Sequence, residues 1–139
     1  MSKAKKVPKP GAAVRKPRVL LVDDHPVIRK GVADVLRACP EFEVCGEAST
    51  AAEAMEIAGK KRPDAVIADL SLNGPGGLDL IRDLQIQIPG ISVLVLSMHD
   101  ERLYAERALR AGARGYVMKQ EEPGRIVEGL RAVVIRAGT

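Results

Sequence analysis

Aromatic side chains are scarce in this sequence: Phe42, Tyr104 and Tyr116 are all there are among 139 residues, and tryptophan is absent. A surface that stacks the unpaired bases of single-stranded nucleic acid needs several exposed rings, so that class of binder is excluded. Cysteine is as sparse. Cys39 and Cys45 are too few for a disulfide framework, read as structural thiols, and suit a reducing cytoplasm. With His25 and His99 the only histidines, a histidine-rich metal site is ruled out as well. No apolar run approaches the ~18–20 residues of a membrane helix. The basic N-terminus lacks the apolar stretch that would make it a secretory signal. The expectation is a cytoplasmic chain with no membrane partner.

What remains is ordinary globular composition, 46% hydrophobic and 29% charged, at a length that suits one domain with its own core. Its charge is unevenly placed. The formal net charge is +4, from 22 Lys+Arg against 18 Asp+Glu, but residues 1–17 hold six of the bases and no acid. Without them 16 bases face 18 acids, so residues 18–139 carry a net −2. The 1–17 segment, with Pro8, Pro10 and Pro17 and few large apolar residues, cannot bury enough surface to offset the entropy of ordering, and reads as a disordered basic tail. Residues 18–139 are the expected domain.

From Arg18 onward, short apolar runs alternate with helical patterns. Val19–Val22, Ala65–Ala68, Val93–Leu96 and Tyr116–Met118 lack polar alternation, as strands buried on both faces do, whereas Phe42–Cys45 alternates like a strand near a sheet edge. Helical spacing joins Ile28, Val32, Val35 and Leu36 behind Pro26. It joins Ala51, Ala54, Met55 and Ala58 behind the capping-box pattern Thr50-Ala51-Ala52-Glu53. Leu78, Ile81, Leu84 and Ile88 mark a third helix; Ala105, Ala108, Leu109 and Gly112 a fourth; Ile126, Leu130, Val133 and Ala137 a fifth behind Pro123. Five βα units in about 120 residues imply a doubly wound parallel sheet with right-handed crossovers. Ligands in such α/β folds bind at the carboxyl ends of the strands.

Those ends carry Asp23-Asp24 after the first strand, Asp69 after the third, Ser97 after the fourth and Lys119 after the fifth; Gly46-Glu47 after the second offers less. Taken singly each is a common turn or cap residue. Together they place three carboxylates, a hydroxyl and an ammonium around one cleft. Carboxylates packed together repel and call for a counter-charge, and Mg²⁺ takes one or two carboxylates, waters and a phosphate oxygen. With Lys119 opposite, the cleft suits a tetrahedral dianion, and a carboxylate can act as nucleophile in phosphoryl transfer. Asp69, alone on the central strand, is the candidate.

In LLVDDHP, AVIADLSLNGPGGLDL, VLVLSMHD and RGYVMK the sequence resembles a two-component response-regulator receiver domain over about residues 18–137. The stretch LSMHDERLYAERALRAGARGYVMK is similar to the subclass usually joined to a LuxR-type helix-turn-helix output (NarL/FixJ-like) and so to transcription regulation. The resemblance implies a flavodoxin-like (βα)₅ fold with strand order 2-1-3-4-5. It implies Asp69 as phospho-acceptor, with Mg²⁺ held by Asp24, Asp69 and the Ser71 carbonyl, and by Asp23 through water. Lys119 would contact the phosphoryl group, Ser97 and Tyr116 would form a coupled switch pair, and Gly77 matches a loop glycine. The implied partners are a histidine kinase or a histidine phosphotransfer protein, with Val27 as a contact, and a second copy of the chain on phosphorylation. The implied role is that of a switch, not an enzyme.

Two departures stand out. Asn73-Gly74 replaces the family's usual proline after the acceptor, and Gln120 replaces a frequent proline after Lys119. An aspartyl-nucleophile phosphohydrolase would use a similar Asp/Ser/Lys set, but needs a second acid where Ser71 stands. A receiver-like scaffold that is never phosphorylated is the other alternative. Past the fifth helix the sequence runs to Thr139 without a recognition helix, so this chain is not expected to bind DNA directly. Val127, Val134 and Ile135 add apolar surface to that helix, as core contact or as a dimer face, and His99 reads as a loop histidine bordering the cleft.

Overall fold

A computed structural model of the chain describes residues 16–70, 76–97, 102–119 and 123–138. Five strands, β1 (Arg18–Val22), β2 (Glu43–Ala48), β3 (Ala65–Asp69), β4 (Ser92–Ser97) and β5 (Gly115–Met118), alternate with five helices. These are α1 (Pro26–Arg37), α2 (Ala51–Lys61), α3 (Gly76–Gln87), α4 (Arg102–Ala111) and α5 (Pro123–Gly138). All strand pairs are parallel, in the order β2-β1-β3-β4-β5. This is the doubly wound parallel sheet that the residue pattern implied, in the flavodoxin-like strand order that the resemblance implied. Residues 1–15 of the expected tail, Ser71, the Asn73-Gly74 departure, His99, Gln120 and the side chains of Ile135 and Ala137 lie outside the described residues.

Of the four uninterrupted apolar strands, β1, β3 and β4 are central and each feeds two layers, while β5 lies at the edge of the sheet. Val19 and Leu21, Ala65 and Ile67, Leu94 and Leu96 point to one side, where Ala33 and Leu36 of α1 and Ile126, Leu130 and Val133 of α5 cover them. Leu20, Val22, Val66, Ala68, Val93 and Val95 point to the other, beneath Ala54 and Ala58 of α2, Leu80, Ile81 and Leu84 of α3 and Ala108 of α4. Period-two alternation therefore sorts neighbouring residues into opposite cores, each fully desolvated.

Expectations for β2 and α4 need correction, and those for α3 and α5 are refined. The second strand begins at Glu43 and runs on to Ala48, with Phe42 buried just ahead of it, so Gly46 and Glu47 lie within the strand and not after it. The register against β1 skips Cys45, a bulge that moves the partner of Leu20 to Gly46. On α3, Leu80 faces the core, while Leu78 is only partly buried against it. On α4, Ala108 is buried but Leu109 is 50% exposed, because the next residue lies about 100° further round a helix. The apolar surplus of α5 is core contact in its described part: Val127 is buried and Val134 packs on the same cluster.

Local chemistry fixes the helix ends. Thr50 Oγ1 accepts the amide of Glu53 at 3.1 Å, while the Glu53 carboxylate accepts the amide of Ser49 at 2.8 Å and its hydroxyl at 2.9 Å, so the capping box closes one residue early. At the far end of α3, Gln85 Nε2 donates to Ile91 O at 2.9 Å and to Gly112 O at 3.3 Å, tying α3 to the start of β4 and to the end of α4. Gly112 has φ +123°, and a Cβ there would lie 2.7 Å from Gln85 Cγ, so glycine is required on both counts.

Arg131 of α5 grips both carboxylate oxygens of Glu41, the residue two ahead of β2, through Nε at 2.9 and 3.0 Å. That hydrogen bond, with a smaller one from the Cys39 thiol, holds the Glu41 carboxyl below the ordinary carboxylate range. A depressed carboxyl pKa stabilises the fold above the unfolded value and loses that contribution as pH falls through the folded value. Glu41→Gln should therefore be less stable than the parent at pH 7, with the gap closing as pH falls through the acid range, as followed by urea unfolding at stepped pH. Thr50→Ala should cost about 1 kcal/mol at any pH above the carboxylate range.

Candidate functional site

Strand β1 hands its end to Asp23, whose amide donates to Ala48 O of β2 at 3.0 Å. The Asp23 side chain then turns the chain: Oδ1 accepts the amide of His25 at 2.8 Å, and Pro26 follows in the first turn of α1, where its fixed φ suits helix entry. One turn on, Arg29 reaches back. Its Nη1 donates to Asp23 O at 2.7 Å and its Nε to Glu47 Oε1 at 3.2 Å, while Arg37 Nη2 takes Glu47 Oε2 at 3.1 Å. A carboxylate on the edge strand thus anchors the arginine that holds the first acid's backbone.

Asp69 ends the central strand β3, fully buried, and the amide of the next residue, Leu70, donates to Leu96 O of β4. Gly77, in the first turn of α3, presses on that backbone: a Cβ on it would stand 2.8 Å from Asp69 O and from both Leu70 Cα and Leu70 O. No side chain fits, and the glycine amide donates to Leu70 O at 3.2 Å. Lys119 leaves β5 with its amide on Ser97 O at 2.6 Å. Its side chain, 2% exposed, places Nζ 2.9 Å from Asp23 Oδ2 and 3.1 Å from Asp69 Oδ2.

Asp23, Asp24, Asp69, Ser97 and Lys119, proposed from strand ends alone, all sit at the carboxyl edge of the sheet. The first three converge with His25, each offering one atom, and these atoms lie within 4.8 Å of one another. Ser97 is buried at the end of β4. Tyr116 pairs with Val95 in the sheet and packs, half-buried, against the core on the α2–α4 side. Val27 stands 84% exposed at the head of α1. Burial raises the Cys45 thiol, which is the reverse of what an activated nucleophile needs.

Three carboxylates against one ammonium leave the pocket formally short of two positive charges. Oxygen donors this close, with buried walls, are the set a hard divalent cation takes. The donor chemistry therefore fits Mg²⁺. His25 was not expected here. Its ring Nδ1 lies 2.8 Å from Asp23 Oδ1, 3.2 Å from Asp24 Oδ1 and 3.5 Å from Asp69 Oδ2. The one signal in the sequence is position: two residues past Asp23 and locked ahead of Pro26, it has to face the same edge.

Comparison with known proteins agrees with this geometry. The family model for the response regulator receiver domain matches residues 19–131. The chain belongs to that family. It is 34% identical over 116 residues to the transcriptional regulatory protein DegU of Brevibacillus brevis, covering 84% of this chain and 49% of that protein. It is 42% identical over 102 residues to the DNA-binding transcriptional activator DevR/DosR of Mycobacterium tuberculosis, covering 73% and 47%. The receiver thus spans about half the length of these curated relatives. Among solved structures it superposes on a LuxR-family two-component response regulator from Aurantimonas sp. with TM-score 0.83 at 35% identity, covering 87% of this chain and 86% of the other. On the receiver domain of AraT, a response regulator from Geobacillus stearothermophilus, the TM-score is 0.79 at 30% identity, covering 88% and 95%. Response regulators are signalling proteins, and among the described residues no helix is long and apolar enough to cross a membrane.

The contact at Gly77 gives a sharp test. Gly77→Ala forces a methyl into the backbone of Asp69 and Leu70, and should destabilise the receiver by about 1–3 kcal/mol. Gly124→Ala, where a Cβ meets nothing within 4 Å, should be near neutral in the same thermal or urea unfolding series.

Proposed function

We propose that Asp69 accepts a phosphoryl group from the phosphohistidine of a histidine kinase or histidine phosphotransfer protein, and that the acyl phosphate shifts the receiver between two conformations. What carries this reading is the buried Asp69 carboxylate beside both the Lys119 ammonium and the Asp23-Asp24 pair. Asp69 Oδ attacks phosphorus in line; the O–P bond forms, the partner's P–N bond breaks, and its electron pair stays on the leaving imidazole nitrogen. Asp23, Asp24 and Asp69, with the Ser71 carbonyl, would hold Mg²⁺. A bound Mg²⁺ would draw charge from the phosphoryl oxygens as it develops.

Lys119 takes the second share of that charge, exchanging one carboxylate contact for a phosphoryl oxygen. The Ser97 hydroxyl donates to another, and Tyr116, on the adjoining strand, responds to that move as the switch partner. Val27, bare beside the acidic pair, suits docking of the phosphodonor's helix. Phosphotransfer and slow dephosphorylation are self-catalysed, and the chain otherwise acts as a cytoplasmic switch. A homodimer formed on phosphorylation belongs to the same reading. The output would be transcriptional, through segments other than this receiver, which does not itself touch DNA. The basic segment 1–17 would remain a disordered arm outside the domain of 18–139.

Incubation with Mg²⁺ and a small phosphodonor such as phosphoramidate should add one phosphoryl group, seen by intact mass. Asp69→Asn should abolish the adduct, Lys119→Ala should lower its yield by at least tenfold, and EDTA should prevent it. An unchanged adduct on Asp69→Asn, or many turnovers per chain, would sink the reading.

A further inference from the structure

The acidic pocket contains a nitrogen. His25 Nδ1 stands 2.8, 3.2 and 3.5 Å from one oxygen each of Asp23, Asp24 and Asp69. Ligand atoms that share a cation at a bond length of about 2.1 Å are about 3.0 Å apart in an octahedral site and about 3.4 Å apart in a tetrahedral one. The three observed separations span the range of such edges. The ring is also prepositioned, because the amide of His25 is bonded to the same Asp23 Oδ1 that its Nδ1 faces.

This nitrogen has a fourth neighbour. Lys119 Nζ lies 3.1 Å from it. An imidazole nitrogen with a proton can donate to Asp23 but then opposes the ammonium; with a lone pair it can accept from Lys119 but then opposes three carboxylate oxygens. A dication lying between the lone pair and the oxygens gives the nitrogen and the three carboxylates a common partner, while Lys119 keeps its contact with Asp23 Oδ2 at 2.9 Å.

We propose that His25 is a ligand, and that through Asp23, Asp24, Asp69 and His25 the pocket binds a first-row transition-metal dication in a mixed nitrogen–oxygen set. Imidazole suits Ni²⁺, Zn²⁺ and Cu²⁺, whereas Mg²⁺ is held by oxygen. His25 therefore discriminates between the two kinds of ion at one site: the carboxylates bind both, and the imidazole adds affinity only for the transition metal. The inference shares its acidic residues with the phosphoryl-transfer reading, and their tests are separate.

The probe is Ni²⁺, with Mg²⁺ as the comparison, titrated calorimetrically into the chain free of any polyhistidine tag. His25→Ala should weaken Ni²⁺ binding by about tenfold or more. It should change Mg²⁺ binding by less than a third as much. Nickel K-edge X-ray absorption should show imidazole scattering in the parent and lose it in the variant. The His25 side chain is about half exposed and makes no cap hydrogen bond, so the variant should fold, as thermal unfolding will check. Equal weakening of both ions, no weakening of Ni²⁺, or a nickel spectrum without imidazole scattering overturns the proposal. Formation of the phosphoryl adduct with Mg²⁺ on the parent chain is decided independently of each of these outcomes.

Discussion

Parallel strands deliver their carboxyl ends to one edge, and at that edge Asp23 and Asp69 are buried with the ammonium of Lys119 between them. Buried like charges oppose folding unless a counter-charge is held in place, and removing one partner of such a set costs far more than making it gains. Much of the surrounding structure serves to hold these three groups. Lys119 is fixed by its amide on Ser97 O, Asp23 by Ala48 O behind and Arg29 in front, and Asp69 by the close approach of Gly77. None of these restraints is a side-chain contact between the charged groups themselves. The pocket is preorganised by backbone.

That preorganisation draws on both layers. Helix α1, which follows His25 and supplies Arg29 and the exposed Val27, packs with α5 on one face of the sheet, and α3, which brings Gly77, packs on the other. Neighbours on β5 divide the same way: Tyr116 faces the α2–α4 layer and Val117 the α1–α5 layer. A change in charge at the strand ends is therefore adjacent to both faces of the receiver, although the two apolar clusters are separated by the sheet.

The architecture was largely legible in the sequence because its two strongest signals, unbroken apolar runs and 3.6-residue stripes, are set by burial, and burial here is two-sided. The strand-end residues followed from topology alone. What escaped were features without a periodicity. Arg29 acts through a backbone carbonyl six residues away in sequence, Gln85 through two carbonyls across a loop, and Gly77 through the absence of a side chain. Glu47 was assigned to a loop because the bulge at Cys45 hides where β2 continues. His25 was set aside because one histidine makes no histidine cluster. In a pocket that already holds three carboxylates, one is enough to change the donor set.

The bond pair from Gln85 fastens the last turn of α4 to α3 and to the root of β4, and Gly112 leaves no room for slack at that point. Among its described side chains, Ala108 is buried and Ala111 packs against the same cluster. A rod pinned at one end has a pivot and a lever arm. At ~1.5 Å per residue, the ten residues from Arg102 to Ala111 make that arm about 15 Å long. A rotation of a few degrees about Gly112 would thus be smallest at the pinned turn and largest at the end of α4 that leads back towards β4 and Ser97.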